Sequence, residues 1–385
     1  MKRLTDQGPT VNRRNWLVTS MAALAGCGGG SGTVATLPGT GGTGIGMQGQ
    51  ITGFGSVIVN NTKFDDSAAT ILLDGKTMGR ADLRIGMVAS IQGTRDPGGT
   101  TGTAYSIEAW SIASGVVRPS DIAGTRFQLL GMTITTDATT AFEGIANLAA
   151  IRVDAYLAVW GFQLGAEAST WKATRVALVQ PAPATVACTG LLDAMALTLN
   201  GVQLSGLALN GLVNHQLVRA EGTLNSANGT LMVGSVVVMD ASRLASQSEA
   251  IELEGIVTAL QDASQLSMGS LLVDTTRAVV TPSGQTIAVD SLIEVNGLMR
   301  NGVLMAVVIE VKTPSELSQV DITGNIESFE GATNFVVRGQ RCDASQANVV
   351  TGSLAELRNG LKVRVVGSSN GQELLAITTL YASLP

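Results

Sequence analysis

The sequence predicts an all-β protein in which a small barrel-like unit is repeated about five times in tandem. Three observations predict this fold class. The 385 residues include 46 glycines, and only 14% of them are charged, against roughly 25% in an average globular domain. A strand pattern that opens with glycine recurs every 65 to 75 residues. Internal self-similarity of this kind decides the architecture, because each copy must form one structural unit.

Each predicted copy opens with a glycine inside a short strand pattern. These glycines are Gly49, Gly115, Gly190, Gly255 and Gly324. We take each of them as the start of a first strand.

A second block aligns without gaps in all five copies and predicts two short strands joined by a tight turn. It spans residues 57–64, 127–134, 197–204, 266–273 and 335–342. Apolar residues at its first, third and eighth places flank a turn that contains Asn or Gly, which is typical of a β-hairpin.

A third block ends on a glycine and is followed by a last strand pattern. The closing glycines are Gly93, Gly161, Gly222, Gly297 and Gly367. Five strand patterns in about 65 residues indicate a small closed or nearly closed barrel. Closure would hide sheet edges that five tandem β modules would otherwise offer for aggregation.

The repeats define the module boundaries that we predict. The five modules run over residues 47–112, 113–182, 186–245 (a shortened copy), 250–314 and 319–383. The preceding segment, 27–46, is rich in Gly, Ser and Thr and is predicted to be a disordered, flexible tether.

The first module resembles a known bacterial repeat family. The resemblance rests on Phe64-Asp65-Asp66-Ser67, on Leu83-Arg84-Ile85-Gly86-Met87 and on Gly93. These residues are similar to the domain of unknown function 5666, which occurs in tandem in exported proteins. The resemblance implies a small OB-like β-barrel and no established reaction.

Residues 1–26 are predicted to be an export signal. The segment begins with the basic residues Lys2, Arg3, Arg13 and Arg14, and an apolar stretch follows over 16–24. Nine apolar residues are too few to span a bilayer, which needs about 20 in a helix. They are typical of the apolar region of a signal peptide.

The signal ends in Leu24-Ala25-Gly26-Cys27, which resembles the lipobox of bacterial lipoproteins. The resemblance implies a diacylglyceryl thioether on Cys27, and Gly28 after it implies sorting to the outer membrane. An ordinary signal peptide with an incidental cysteine is the alternative. Arg13-Arg14 resembles a twin-arginine export motif, with a plain basic segment as its alternative.

Composition and charge argue against several classes of protein. The net charge of −6 has the wrong sign for a polybasic nucleic-acid binder. Three cysteines are too few to stabilise a chain of this length as a disulfide-rich scaffold. No motif calls for a cofactor, and we predict none.

Residues that could carry chemistry mostly fall at structural positions of the repeat. His215, the single histidine, lies at a turn position, and without a second histidine we predict no metal site. Cys188 and Cys342 fall on core-facing columns of separate barrels. They are expected to stay reduced, because a disulfide needs Cα atoms within about 7 Å.

Several aspartates recur just after the second block. Asp65, Asp274 and Asp343 are expected to form Asx turns, which need one side-chain oxygen each. Asp65, Asp66 and Asp74 form the only cluster dense enough for a calcium site, which is the alternative interpretation of these residues.

Aromatic residues concentrate in the second module. Tyr156, Trp160 and Trp171 form the candidate binding face, and OB-like barrels bind oligomers on such faces by aromatic stacking. Packing against a neighbouring module is the structural interpretation of the same rings. A protein or a glycan is the ligand class that a binding face would take.

We therefore predict a non-catalytic, exported protein, lipid-anchored in the cell envelope, that presents its repeat array for binding or spacing. Its contact with the membrane is the lipid on Cys27. The alternative is a periplasmic small-ligand-binding or hydrolytic protein with its site between modules. Catalysis would then have to use carboxylates such as Glu252, Glu254, Asp65 or Asp66.

Overall fold

The computed structural model describes most of the repeat region. The described residues are 44–119, 121–165, 169–239, 250–262, 264–313 and 318–382. Arg13, Arg14, Cys27 and the rest of the predicted export signal lie outside them. Within the described residues the chain forms 32 strands and four single-turn 3₁₀ helices. The predicted all-β class is confirmed.

The first copy is a closed five-stranded barrel. Its strands are β1 (Gly44–Phe54), β2 (Val57–Val59), β3 (Thr62–Asp65), β4 (Thr70–Leu73), β5 (Lys76–Met78), β6 (Val88–Arg95) and β7 (Thr101–Ala109). The barrel path is β1–β2–β3–β7–β6 and back to β1, with β3 and β7 parallel. This path is that of an OB-like barrel. The β4–β5 hairpin is attached to β7.

The third copy repeats this closed path, and the second repeats every pairing of it among the described residues except that of its first barrel strand with its second. The strands of the second copy are β8 (Ala113–Val116), β9 (Ile122–Ala123), β10 (Arg126–Leu129), β11 (Met132–Thr135), β12 (Ala141–Glu143), β13 (Tyr156–Gln163) and β14 (Thr170–Leu178). Those of the third are β15 (Val186–Asp193), β16 (Thr198–Leu199), β17 (Val202–Ser205), β18 (Leu217–Leu224) and β19 (Leu231–Val238).

The fifth copy also repeats the closed path, and the fourth, among the described residues, again lacks only the pairing of its first barrel strand with its second. The strands of the fourth are β20 (Ala250–Ile256), β21 (Ala259–Leu260), β22 (Gln265–Met268), β23 (Leu271–Asp274), β24 (Val279–Thr281), β25 (Leu292–Arg300) and β26 (Val303–Val311). Those of the fifth are β27 (Gln319–Gly331), β28 (Asn334–Val337), β29 (Gln340–Asp343), β30 (Asn348–Thr351), β31 (Lys362–Ser368) and β32 (Leu374–Tyr381). The 3₁₀ helices are Arg80–Asp82, Leu148–Ala150, Leu207–Leu209 and Leu354–Glu356.

One boundary of the predicted tether is wrong. Residues 44–46, which the sequence assigns to the tether, belong to β1 and pair with β6, Gly44 lying opposite Thr94. Ile45 also pairs with Ala250 of the fourth copy. Backbone pairing on both sides makes these residues part of the sheet despite their glycine content.

The hairpins predicted from the second block are confirmed in all five copies. Their turns need positive φ, as two-residue hairpin turns do. Asn60 and Asn61 have φ of 48° and 58°, and Asn200 has 51° before Gly201 at 77°. The Asn or Gly that marks each block therefore has a local steric cause.

The closing glycines of the third block lie where the fourth barrel strand shifts register against the last strand. The shifts fall at Gly93, Gly161, Gly222, Gly297 and Gly367. A Cβ at any of them would stand closer than 3.0 Å to a carbonyl oxygen of the last strand. Only glycine permits this close approach, which explains why it recurs.

The copies pack against one another through strands far apart in sequence. In the first copy, β1 pairs in parallel with β20 of the fourth copy and with β27 of the fifth. The first, fourth and fifth copies thus share one 20-stranded sheet, and the second and third share a 12-stranded sheet. The β8–β15 pairing joins the latter two.

The apolar core follows this grouping. One cluster joins the first and fifth copies with part of the second, another joins the second and third, and a third fills the fourth barrel. The fourth copy thus has a core of its own, and the β1–β20 pairing joins it to the first.

Candidate functional site

A cavity of about 420 Å³ lies where the first four copies meet. The pairing of β1 with β20 and of β8 with β15 brings its walls together. The volume falls within the range of about 300–1,000 Å³ that is typical of small-molecule sites. We treat this inter-module cavity as the candidate functional site.

Aromatic and aliphatic side chains form much of its wall. The rings are Trp110 from the first copy and Phe162 and Trp171 from the second. Leu253 and Met268 of the fourth copy add aliphatic surface. Walls of this composition are typical of sites that bury an organic ligand.

Three side chains of the wall have a polar atom that is buried without a hydrogen-bond partner among the described residues. These atoms are the indole Nε1 of Trp110, the indole Nε1 of Trp171 and the hydroxyl Oγ1 of Thr189. Trp171 is 5% exposed and Thr189 is 2% exposed. Each buried group left unpaired costs about 1–3 kcal/mol. Because the three atoms have almost no surface that a water molecule can reach, they do not themselves face the cavity.

The ionisable side chains of the cavity wall are acidic. Glu108 and Glu254 line it, and none of the described lining residues is Lys, Arg or His. One carboxylate oxygen of Glu254 accepts a hydrogen bond from the backbone N–H of Gln50 at 3.1 Å. Burial raises the pKa of Glu254 to about 7, although this hydrogen bond opposes the rise.

A buried network of charges lies behind Glu254. Glu254 stands opposite Glu294 in the β20–β25 pairing. The Nζ of Lys312 binds Glu294 at 2.7 Å and Glu310 at 3.1 Å. Burial opposes the charge on Lys312, but the two carboxylates outweigh it and raise its pKa. The amine thus neutralises part of the acidic cluster.

Glu252 belongs to the same strand but does not line the cavity. Its carboxylate binds Arg95 of the first copy at 2.6 Å. Burial and then Glu294 raise the pKa of Glu252, while Arg95 opposes the shift. The pair joins the fourth copy to the first beside the β1–β20 pairing.

Protonation of Glu254 is expected to make stability depend on pH. Its pKa is about 7 in the folded protein, against an ordinary value of 4.5. The folded state therefore holds a proton that the unfolded chain releases, so this stabilisation is complete below about pH 4.5 and is lost as the pH rises through 7. We expect the free energy of unfolding to fall by on the order of 3 kcal/mol between pH 5 and pH 8 from this group.

Urea unfolding at several pH values would measure the loss. Glu254→Gln cannot ionise, so this variant is expected to be less sensitive to pH and more stable than the native protein at pH 8. Glu356→Gln, at an exposed position, is the matched control. Equal pH dependence in the native protein and Glu254→Gln would contradict the prediction.

The prediction that Tyr156, Trp160 and Trp171 form an exposed binding face is wrong. The three rings are 4%, 6% and 5% exposed. The hydroxyl of Tyr156 donates to the carbonyl of Thr185 at 2.5 Å. Trp160 packs in the same core cluster as residues of the first copy. Trp171 alone of the three lines the cavity.

The physical reason is that β13 is buried on both faces. Leu157 and Val159 enter the core shared by the second and third copies, while Ala158 and Trp160 enter the core shared with the first. In an isolated barrel one of these faces would be in contact with water. Trp160 therefore packs against a neighbouring module, which was the structural interpretation of these rings.

Sequence reasoning missed Trp110 and Thr189 as cavity residues. A signal existed for Trp110, because the chain has only four tryptophans. Nothing marked Thr189, a small polar residue inside the strand β15. Glu254 was named among the carboxylates of a possible site between modules, and it lines the inter-module cavity.

The remaining predicted positions are structural. His215 is exposed with φ of 62°, a turn residue as predicted. Cys188 and Cys342 are buried and free, and burial raises the pKa of each thiol to about 12. Both are therefore protonated core residues.

The recurring aspartates form Asx turns as predicted. Asp65, Asp274 and Asp343 each accept a hydrogen bond from the backbone N–H two residues later. The possible calcium cluster is not formed, because Asp66 binds Arg80 at 2.6 Å and Asp74 accepts from Ser111. In the part of the chain that the structure describes, no three His, Cys, Asp or Glu residues come together as a metal site.

The fold and the cavity thus define a tandem array of OB-like barrels with a cleft between them. The model of the family "Domain of unknown function (DUF5666)" matches residues 114–177 and 254–310. These regions fall in the second and fourth copies, which is consistent with a repeat of this domain. The resemblance that we noted in the sequence rests on residues of the first copy, whereas the two matched regions belong to the second and fourth copies.

Other comparisons add little. No curated protein matches the chain. The solved structures include "drosophila Unr CSD456", which is 12% identical, covers 45% of this chain and 79% of its own, and superposes with a TM-score of 0.14. Among the described residues, no helix has the length and apolar composition to cross a membrane.

Proposed function

We propose that this protein is a non-catalytic binding protein of the cell envelope and that its ligand occupies the inter-module cavity. The observation that carries the proposal is a cavity of about 420 Å³ between four copies, whose wall combines the rings of Trp110, Phe162 and Trp171 with the carboxyl groups of Glu108 and Glu254. A small organic molecule with an apolar body and hydrogen-bonding groups would match this wall.

The proposal combines two features of the chain. The resemblance at Leu24-Ala25-Gly26-Cys27 supports export and attachment of a lipid to Cys27, with outer-membrane placement supported by Gly28. The cavity supports binding rather than spacing alone, because its volume of about 420 Å³ lies in the range of small-molecule sites.

Binding can be tested by screening small organic compounds for their effect on thermal stability of the full-length protein. We expect at least one compound to raise the melting temperature, since a ligand at 100 times its Kd adds about 2.7 kcal/mol. Ser106→Phe should abolish this shift, because Ser106 lines the cavity and a phenyl ring would fill it.

Thr103→Phe is the matched control, since Thr103 is exposed on the same strand β7 and is not part of the cavity wall. It should retain the full shift. If no compound gives a shift that depends on Ser106, the cavity is not a binding site.

The lipid anchor has its own test. We expect the native protein to sediment with membranes and Cys27→Ala to appear in the soluble fraction, because the thioether is the proposed attachment. Protease added to intact cells would then distinguish a surface-facing from a periplasm-facing protein. Equal fractionation of the native and Cys27→Ala proteins would contradict the anchor.

A hydrolytic function is the second candidate, and one observation favours it. Glu108 and Glu254 share a single cavity, and glycoside hydrolysis uses two carboxyl groups of which one is protonated near neutral pH. Release of product from a chromogenic glycoside by the native protein, at least about a hundredfold faster than by Glu254→Gln, would support catalysis. Equal rates would remove this candidate.

A further inference from the structure

The fourth copy is attached to the first through a short strand pairing rather than through a shared core. Residues 45–48 of β1 pair in parallel with residues 250–253 of β20, and we call these two segments the β1–β20 joint. The first and fifth copies share one apolar cluster, whereas the cluster of the fourth barrel is its own. The N–H of Gly165 in the second copy also donates to Asp290 of the fourth at 2.8 Å. A unit with its own core can move relative to its neighbour without losing that core.

An acidic face of the fourth barrel is buried at this joint. Leu253 and Val295 stand opposite each other and belong to the core of the barrel. Because side chains alternate along a strand, Glu252, Glu254 and Glu294 lie on the outer face of the same sheet. They are 1%, 5% and 5% exposed, although water would reach the outer face of an isolated barrel. Their burial therefore depends on contacts outside their own barrel.

Two carboxyl groups of this face bind the first copy directly. Glu254 accepts a hydrogen bond from the backbone N–H of Gln50 at 3.1 Å, and Glu252 binds Arg95 at 2.6 Å. Glu254 also stands opposite Glu294 in the pairing of β20 with β25. Like charges in directly opposed positions of a sheet repel each other. Protonation of Glu254 removes this repulsion and leaves its hydrogen bond to the first copy in place.

The basic groups around the joint do not balance the acidic ones. Lys312 is shared by two carboxylates other than Glu254, since it binds Glu294 and Glu310. Glu108 of the first copy lines the same cavity wall as Glu254. Within the joint and the residues that contact it, four carboxyl groups stand against two bases: Glu252, Glu254, Glu294 and Glu310 against Arg95 and Lys312.

We infer that the β1–β20 joint is a pH-sensitive latch on the inter-module cavity. In acid, Glu254 is protonated, accepts from Gln50 and keeps the fourth copy against the first. As the pH rises, Glu252 and Glu254 lose their protons, the buried carboxylates repel one another, and the fourth copy moves away while it stays folded. Glu254, Met268 and Ser270 are part of the cavity wall, so this movement opens the cavity. The latch would work on an empty cavity, so it does not depend on the proposed binding function.

The direction of the pH effect follows from where Glu254 holds its proton. Burial raises its pKa to about 7 in the closed joint, and contact with water in the open joint restores the ordinary value of 4.5. The stabilisation of the closed joint is therefore complete below pH 4.5 and is lost as the pH rises through 7. From this group alone the open fraction rises about thirtyfold between about pH 5.5 and pH 8. The pKa of Glu252 is raised as well, by burial and then by Glu294, so it adds to the rise.

Hydrogen exchange of single backbone amides in the full-length protein tests the latch. The amide of Gln50 is the direct reporter, because its partner is Glu254. After correction for the intrinsic exchange rate, its protection factor should fall at least about thirtyfold from about pH 5.5 to pH 8. The amide of Thr189 is the matched control, because it donates to the carbonyl of Ile112 across the uncharged β8–β15 pairing. That amide and the amide of Val295, inside the fourth barrel, should change less than about threefold.

Two variants separate the titration of Glu254 from other effects of pH. Glu254→Gln cannot ionise, but its side-chain carbonyl can still accept from Gln50, so the fall in protection should be at least about tenfold smaller than in the native protein. Glu356→Gln, at an exposed position, should behave like the native protein. Should Glu254→Gln not fold, the comparison of Gln50 with Thr189 in the native protein gives the same test.

Three results would overturn the inference. The first is a protection factor of Gln50 that does not change over this pH range. The second is an equal fall at Val295, which would mean that the fourth barrel unfolds instead of moving. The third is an equal fall in the native protein and in Glu254→Gln. The thermal-shift test with Ser106→Phe is independent of these measurements, so the latch and the proposed binding function can fail separately.

Discussion

Replacing Arg175 with alanine is expected to lower the free energy of unfolding by about 3 kcal/mol, because it leaves the buried carbonyl of Ile85 without its donor and opens a cavity where the side chain stood. Arg175 is 1% exposed and lies at the contact of the second copy with the first. Its Nη1 donates to the carbonyl of Ile85 at 2.9 Å, and its Nη2 binds Glu143. Its guanidinium also lies over the ring of Trp160, 5.9 Å from the centroid.

Chemical denaturation followed by circular dichroism would measure the loss. Arg126→Ala is the matched control, because Arg126 lies in the same copy with an exposed side chain, and it should change stability by less than about 0.5 kcal/mol. A loss in Arg175→Ala no larger than in Arg126→Ala would show that the two copies are held together by other contacts.

Replacing Gly222 with alanine is expected to lower the free energy of unfolding by about 3 kcal/mol. This loss is at the upper end of the cost of adding a methyl group to a packed site. A Cβ there would stand closer than 3.0 Å to the carbonyl oxygen and carbonyl carbon of Met232 and to the Cα of Val233. All three are backbone atoms of β19, so no side chain can move to make room. The register shift between β18 and β19 would have to change.

Gly98→Ala is the matched control for this substitution. Nothing lies within 4 Å of a Cβ at Gly98, and its φ is not in the left-handed region. Alanine there should be neutral or stabilise the protein by up to about 1 kcal/mol, because it restricts the unfolded chain. If Gly222→Ala were as stable as Gly98→Ala, the repeated glycine would not be required by the barrel.

The two substitutions probe different levels of the structure. Gly222 acts within one barrel, whereas Arg175 acts between barrels and holds Trp160 against the first copy. Because the cavity is formed only where copies meet, we expect Arg175→Ala to weaken ligand binding as well as stability. Gly222 lies on the strand β18, whose Leu217 also lines the cavity, so its effect on binding would follow from distortion of that strand.

Much of the fold follows from short-range sequence. The turns at Asn60 and Asn200 and the closing glycines at Gly161 and Gly222 respond to sterics within one copy, so their pattern repeats and can be aligned. The position of His215 is equally local, since the aligned Gly86, Asp154, Asp290 and Gly360 all have positive φ as well.

The site could not be predicted in the same way. Trp160 aligns with residues of the other copies that are half-buried, whereas its own surroundings come from the first copy, which no comparison between copies reveals. Thr189 carries no mark in the sequence, because only the pairing of β15 with β8 brings it to the cavity wall.

The sequence by itself determined the barrel and its repetition, because backbone sterics and strand periodicity act over a few residues. Only the tertiary structure decided which outer faces become buried and where a cavity remains. The pairing of Ile45 with Ala250 and of Cys188 with Ala113 joins distant strands, and the contacts that line the cavity exist only after these pairings form.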